Sequence, residues 1–505
     1  MLRGILSSNE PGKLALAHQQ VNPAWLPDDW YLTTSQSYQW LFQQITGTLV
    51  LALGDPLAAM VIRLIGYVGW SLALARVALQ LQLSPLLTTL AAVLFVQEQS
   101  VIAGEWMVGS AEPKTFAYAA LLMAFALWRE RRWAWCGLLL ALACSFHLLV
   151  GVFGAAALGL LALARHRGHW NPGAWRRGAL AAAIPALPLG LTLIEQVGGR
   201  GGAVAAGVGE PSANFIYVYL RNPHHLVPAS WTAGAWLEAA LVLLLFSGAA
   251  VLCLRAGERR PGFPATACTD LILWTLAAAL FGLLGLLISP IDRDGTVLKL
   301  YLFRVPDTLV VLASWLLLLR WLPPRAARGW PAALLVLVLV VRGAPWARAF
   351  PAAVAQRFIA SPEQAELYGW LRDLPGHGSL VITPPAGFED LSNHTRKPRL
   401  VQFKQVPTAS GAILSWYRRL TALAGGDPQV WQGPGGTPAQ QRLERAYDGL
   451  DGAALARLAE GQRAGVVVTR AERPGPEGWR RAFANDRWWG WLPPTGAADG
   501  HSGEP

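Results

Sequence analysis

The chain has 505 residues, of which 53% are hydrophobic and only 14% charged, against roughly 25% charged in an ordinary soluble domain. So much apolar side chain cannot be hidden in one soluble core, which excludes a simple globular protein and requires lipid to solvate part of the chain. The net charge of +11 would suit a nucleic-acid partner, but most basic residues lie in short loops between apolar runs, where they set membrane orientation, so no nucleic acid is read. The 24 tryptophans fit a protein at the lipid head groups. The four cysteines (Cys136, Cys144, Cys253, Cys268) lie in or beside apolar runs without metal-ligand spacing. Residues 1–35 hold no apolar stretch long enough for a secretory signal.

Residues 1–55 read as an external segment. It carries NPAWLPDDW at 22–30, with adjacent carboxylates Asp28 and Asp29 between Trp25 and Trp30. Its end, 36–53, has a Gln-rich first half that favours an interfacial helix over a crossing.

Residues 56–346 hold ten apolar stretches of spanning length, at 57–80, 84–102, 111–128, 133–148, 150–165, 178–196, 234–254, 271–289, 298–319 and 330–346. The short fourth and fifth stretches meet at His147 and read as a tight hairpin. Thirteen arginines, among them Arg129, Arg165, Arg167, Arg259, Arg325 and Arg328, crowd the loops at 129–132, 165–177, 255–260 and 320–328. The alternate loops hold only Arg200, Arg221 and Arg293. The first set is therefore expected in the cytoplasm and both termini outside.

Residues 347–492 change character and predict a small external α/β domain. Ser361 and Pro362 start a helix over 362–374. Strands are expected at 379–383, 399–404, 465–469, 480–484 and 488–492, with helices at 411–423 and 438–460. Residues 493–505 read as a disordered tail. The expected fold is thus a polytopic α-helical membrane protein of about ten spans with a C-terminal α/β soluble domain.

Ionisable residues at the edges of spans are expensive and mark sites. Here they gather on the external side: Asp28 and Asp29, Glu105, Glu112 and Lys114, His147, Arg221, His224 and His225, then Asp292, Arg293 and Asp294, and finally Lys299, Arg304 and Asp307. A 1.5 Å rise per residue puts Asp307 roughly 13 Å below the outer end of its expected helix. Each has a plain structural reading. Asp28 and Asp29 can be turn residues, Arg304 and Asp307 can neutralise each other three residues apart, and His147 can be a satisfied buried histidine. Collected on one side, they read as a site for an anionic ligand delivered through the membrane.

One chemistry needs this set. Sugar transfer from a phosphate-linked lipid requires a carboxylate to deprotonate the acceptor hydroxyl. It also requires Lys, Arg or His to take up charge on the leaving phosphate. The blocks DDW at 28–30, EPK at 112–114, SFH at 145–147, RNPHH at 221–225 and KLYLFRVPD at 299–307, with segment 36–53, resemble the GT-C superfamily of polytopic glycosyltransferases. The resemblance implies a polyprenyl-phosphate sugar as donor and a bacterial inner membrane with the C-terminal domain outside. It places the catalytic carboxylate of the first external loop at Asp28 or Asp29. Glu112, Lys114, His147, Arg221, His224, His225, Lys299, Arg304 and Asp307 remain to bind substrate. Whether a divalent metal assists stays open: the sequence indicates none, because Asp28 and Asp29 alone make too few ligands. Superfamily members begin with a spanning helix before this loop, and none is evident here. The alternatives are a non-catalytic membrane scaffold whose outer domain binds a partner and, with no inverted repeat to support it, a transporter.

Overall fold

The computed structural model describes residues 9–34, 39–165, 172–198, 207, 209–322, 329–355, 361–375 and 379–494. The tail after 494, and the loop arginines Arg167, Arg200, Arg325 and Arg328, lie outside them. The chain is mostly helical. Helices run α1 Glu10–Val21, α2 Trp30–Thr34, α3 Trp40–Leu53, α4 Asp55–Gln80, α5 Pro85–Gln97, α6 Pro113–Arg129, α7 Trp133–Phe146, α8 Leu148–Arg165 and α9 Pro172–Gly198. A short helix, α10 (Ala213–Phe215), passes into a π-helical turn at Ile216–Arg221 and then α11 (Pro223–Leu226). Four long helices follow: α12 Ala233–Arg259, α13 Ala265–Ile288, α14 Arg304–Trp321 and α15 Gly329–Ala355.

Local chemistry sets the boundaries. Ser84 and Thr232 accept hydrogen bonds from Leu87 N and Ala235 N, capping α5 and α12. Among the described residues, four helices, α4, α8, α12 and α13, are long and apolar enough to cross a membrane. Leu64 on α4, Leu244 on α12 and Leu287 on α13 keep more than 60% of their surface outside the protein. Faces of that kind are stable only in lipid. The chain is an integral membrane protein. Helices α5 and α7 are apolar but short, at 13 and 14 residues, against about 20 for a crossing.

The bundle interior is packed by aromatic stacks such as Phe125 on Trp274 at 4.6 Å and Trp70 on Phe95 at 5.7 Å. Helices α7 and α9 approach so closely that a Cβ on Gly137 would lie 2.1 Å from the Gly178 carbonyl. At one end of the bundle, Asp270 of α13 pairs with Arg129 of α6 at 2.9 Å and Arg165 of α8 at 2.7 Å. The residues expected to form the site lie in the chain breaks at the other helix ends.

The ninth expected span differs from its sequence reading. The apolar run from 298 does not start a helix: Leu298–Leu300 is a 3-10 turn, Tyr301 is left-handed at φ 56°, and α14 begins at Arg304. Arg304 and Asp307 therefore occupy the first turn of α14 rather than a point deep in a helix.

After Ser361, whose hydroxyl caps Gln364 N, come α16 Pro362–Asp373, α17 Leu391–Thr395, α18 Ser410–Leu423, α19 Thr437–Asp448 and α20 Gly452–Gly461. With them is a four-stranded sheet in the order β1 (Leu380–Ile382), β2 (Ala464–Arg470), β4 (Trp488–Leu492), β3 (Arg480–Ala484). β1 and β2 are parallel, and the other two pairs are antiparallel. The expected strand at 399–404 makes only one bridge, Val381 to Arg399. Beyond it the Gln402 side chain bonds Thr383 Oγ1 and the Pro384 carbonyl, and the chain leaves the sheet. The helix expected over 438–460 breaks at Gly449–Leu450, and Asp451 caps the second half through Ala454 N at 2.7 Å.

Candidate functional site

A polar cavity of about 480 Å³ opens where the helix ends meet the α/β elements. One wall comes from the bundle side: Lys13 of α1, Glu105 and Trp106 of the α5–α6 loop, Glu112 and Lys114 at the start of α6, His147 between α7 and α8, and Arg304 of α14. The facing wall carries Arg221, His224 and His225 from the α10–α11 region, Lys404 and Gln405 from the departed strand, and Thr437 and Gln440 of α19. Among the described residues, five cations face two carboxylates there.

The bundle wall is a connected ionic cluster. Arg304 Nε donates to Glu105 Oε1 at 2.8 Å, and its Nη1 donates to His147 Nε2 at 3.1 Å. Because guanidinium can only donate, His147 Nε2 accepts this bond, while its Nδ1 faces Val150 N at 3.5 Å. The guanidinium also lies 3.8 Å from the Tyr301 ring centroid. Lys114 sits 3.5 Å from Glu105 and 3.7 Å from Glu112, over the Trp106 ring at 3.6 Å. Burial alone would raise the Glu105 carboxyl, but Arg304 and Lys114 outweigh it and hold it well below the ordinary carboxylate range. Glu105 is thus a fixed anion and a poor base. Glu112 is almost fully buried; among the described residues its partners are Lys114, paired at 3.7 Å, and Ser110 Oγ, which donates at 3.4 Å.

Asp307 explains how Glu105 reaches this position. Its Oδ1 accepts from Val101, Ile102 and Ala103 N at 3.0, 2.7 and 3.0 Å, and its Oδ2 from Ser100 Oγ at 2.7 Å and Glu105 N at 3.0 Å. One carboxylate thereby ties down the whole loop. Behind the wall, Glu10 pairs with Arg63 of α4 through Nε at 2.7 Å and accepts from Ala111 N, fixing α1 beside Glu112. Gly47 of α3 permits this, since any Cβ there would lie 2.2 Å from the Ala17 carbonyl of α1.

On the facing wall Arg221 donates to the Phe403 and Lys404 carbonyls at 2.9 and 3.0 Å, so it places the segment that carries Lys404. His225 Nδ1 donates to the Ala103 carbonyl at 2.5 Å. His224 keeps much of its edge open to the cavity, yet desolvation by the walls, then His225 and Arg221, push its imidazole down to about 3. It is neutral at physiological pH.

Of the residues expected from sequence, Glu112, Lys114, His147, Arg221, His224, His225 and Arg304 line this one cavity, and Asp28, Asp29, Lys299 and Asp307 do not. Asp28 is exposed on the surface. Asp29 is fully buried as the N-cap of α2, accepting from Leu32 N at 3.1 Å and from Ser392 Oγ and Arg399 N at 3.3 and 3.4 Å. Lys299 donates to Asn214 Oδ1 at 3.2 Å. Arg304 and Asp307 do not neutralise each other, because each has partners in the α5–α6 loop. Sequence reading missed Lys13, on a helix without a spanning-length run, and Lys404, on an expected strand. Among the described residues, no group of three or more His, Cys, Asp and Glu is placed to hold a metal ion.

No family model and no curated protein sequence matches the chain. Solved structures do. The oligosaccharyltransferase of Archaeoglobus fulgidus is similar at 12% identity and a TM-score of 0.48, over 92% of this chain and 66% of that one. The chain thus spans just under two thirds of that protein's length. ArnT from Cupriavidus metallidurans is similar at 12% identity and a TM-score of 0.49, over 97% of this chain and 94% of that one. The same protein bound to undecaprenyl phosphate matches over the same shares at 11% identity and a TM-score of 0.41.

Proposed function

We propose that the chain is an integral-membrane glycosyltransferase that moves a sugar from a polyprenyl-phosphate donor to an acceptor hydroxyl. The observation that carries this reading is the Glu105–Arg304–His147 cluster, at the ends of membrane helices and in one cavity with Glu112. A donor anchored by an isoprenoid tail presents its phosphate at the bilayer edge, where the starts of α6 and α14 and the α7–α8 break hold Lys114, Arg304 and His147. Glu112 takes the role that the sequence blocks suggested for Asp28 or Asp29. It removes the hydroxyl proton as the acceptor oxygen attacks the anomeric carbon. The bond from that carbon to the phosphate oxygen breaks, and its electron pair leaves on the phosphate. Charge grows there, so fixed cations stabilise the transition state more than the bound donor.

In this reading the ten apolar stretches cross a bacterial inner membrane. Residues 1–55, 56–346 and 347–492 act as external segment, membrane domain and external α/β domain, and the arginine-rich loops face the cytoplasm. The test is transfer of radiolabelled sugar from polyprenyl-phosphate donors by membranes containing the protein. Wild type is expected to transfer, and Arg304→Lys to lose at least about tenfold, because lysine lacks the fork that reaches Glu105 and His147 together. Absence of transfer with every donor would remove the enzymatic reading and favour a scaffold.

A further inference from the structure

Of the five cations of the cavity, Lys13 donates to Gln39 Oε1 at 2.9 Å, and the other four fall into two classes. Arg304 and Lys114 already have Glu105 and Glu112 as ion-pair partners. Arg221 and Lys404 have none: among the described residues, no carboxylate oxygen lies within 4.0 Å of either. Glu389 and Glu112 act on Lys404 only at longer range. Arg221 is held by backbone carbonyls, including that of Lys404 itself, and its charge acts on the Lys404 ammonium. Partly desolvated like charges without a counter-ion are costly unless a ligand supplies one. Burial, the largest cause, draws the Lys404 ammonium below its ordinary range and Arg221 adds to this, against the opposing pull of Glu389 and Glu112.

Lys404 belongs to the α/β side of the cavity and Arg221 to the loop clamped on it, whereas the reading above assigns the donor phosphate to the helix ends that carry Lys114, Arg304 and His147. Around the pair, the same wall offers neutral hydrogen-bonding side chains: Gln405, Thr408, Thr437 and Gln440. Gln405 is 7% exposed, and its Oε1 is buried without a hydrogen-bond partner while Nε2 donates to the Glu389 carbonyl at 3.0 Å.

We infer that Arg221 and Lys404 form a second anion subsite, which takes the acceptor, and that the acceptor is an anionic polyhydroxy compound: a sugar bearing a phosphate or carboxylate. The charged group meets the cation pair, and hydroxyls meet the amides and threonines beside it. This rests on the transferase reading for the word acceptor, but the subsite itself is a binding claim.

The experiment uses the full chain in lipid nanodiscs, titrated by saturation-transfer NMR with glucose, glucose 6-phosphate and glucuronate, and separately with farnesyl phosphate. One or both charged sugars are expected to bind at least about tenfold more tightly than glucose, the scale of one charge-assisted hydrogen bond. The two arms tell a phosphate from a carboxylate. Lys404→Gln is expected to abolish the preference and Lys404→Arg to keep it. Equal affinities for all three sugars in wild type would overturn the inference, as would a preference that survives in Lys404→Gln. Failure of farnesyl phosphate to bind, with the charged-sugar preference intact, would sink the donor reading and leave the subsite standing.

Discussion

Three carboxylates of this chain are buried for three different purposes, and partners rather than burial decide which. Glu105 is a permanent anion because two cations hold it. Asp307 is a fastener with five donors on one carboxylate. Its replacement by Asn turns an amide N–H donor toward donors and loses charge-assisted bonds contributing about 1.5–3 kcal/mol. Asp307→Asn is therefore expected to lower the melting temperature in detergent and to free the 100–105 loop for hydrogen exchange. An unchanged exchange pattern would mean the clamp is idle. Asp390 is the third case, in the α/β elements. Burial pushes its carboxyl up to about 6, although Tyr368 donates to it at 2.5 Å. The folded form binds this proton more tightly than the unfolded chain does, so the contribution to stability is full below about 4 and is lost as pH rises through 6. Proteolysis of the α/β elements should accelerate over that window, and Asp390→Asn should flatten the dependence. The same slope in the variant would assign it elsewhere.

Elements were legible where side-chain pattern alone decides them. Spanning-length runs, Ser361 as a cap, and the break at His147 all follow from local chemistry, and short polar blocks between such runs are thrown to helix ends. That is why EPK, SFH and RNPHH meet in one cavity. Tertiary contacts decided the rest. Nothing in an apolar run from 298 shows that Tyr301 turns left-handed and delays α14. The pairing of Asp28 with Asp29 suggests chemistry until α2 and α17 are seen to use Asp29. Asp29→Ala is accordingly expected to cost about 0.5–2 kcal/mol as a lost cap, with Asp28→Ala silent in thermal unfolding. Equal effects would refute the capping role. Between helices, Gly137→Val should destabilise by about 1–3 kcal/mol through overpacking of α7 against α9, read in the same assay.

For the whole molecule, the polar groups divide between two ends: Asp270 and its arginines at one, the cavity at the other. The proposed orientation puts Arg259 in the cytoplasm and Asp486 outside. In a variant whose four native cysteines are alanine, a cysteine at 486 should react with an impermeant maleimide on intact cells, and one at 259 only after permeabilisation. The reverse pattern would invert the topology. The central claim is narrower: Glu112 is the base in a cavity built around a lipid phosphate. Single-turnover transfer by Glu112→Gln in nanodiscs, with donor affinity measured alongside, tests it most directly. The account requires the rate to fall by about 10²–10⁴, the usual worth of a general base, while donor affinity stays within a few-fold. A Gln variant that transfers at the wild-type rate would contradict it.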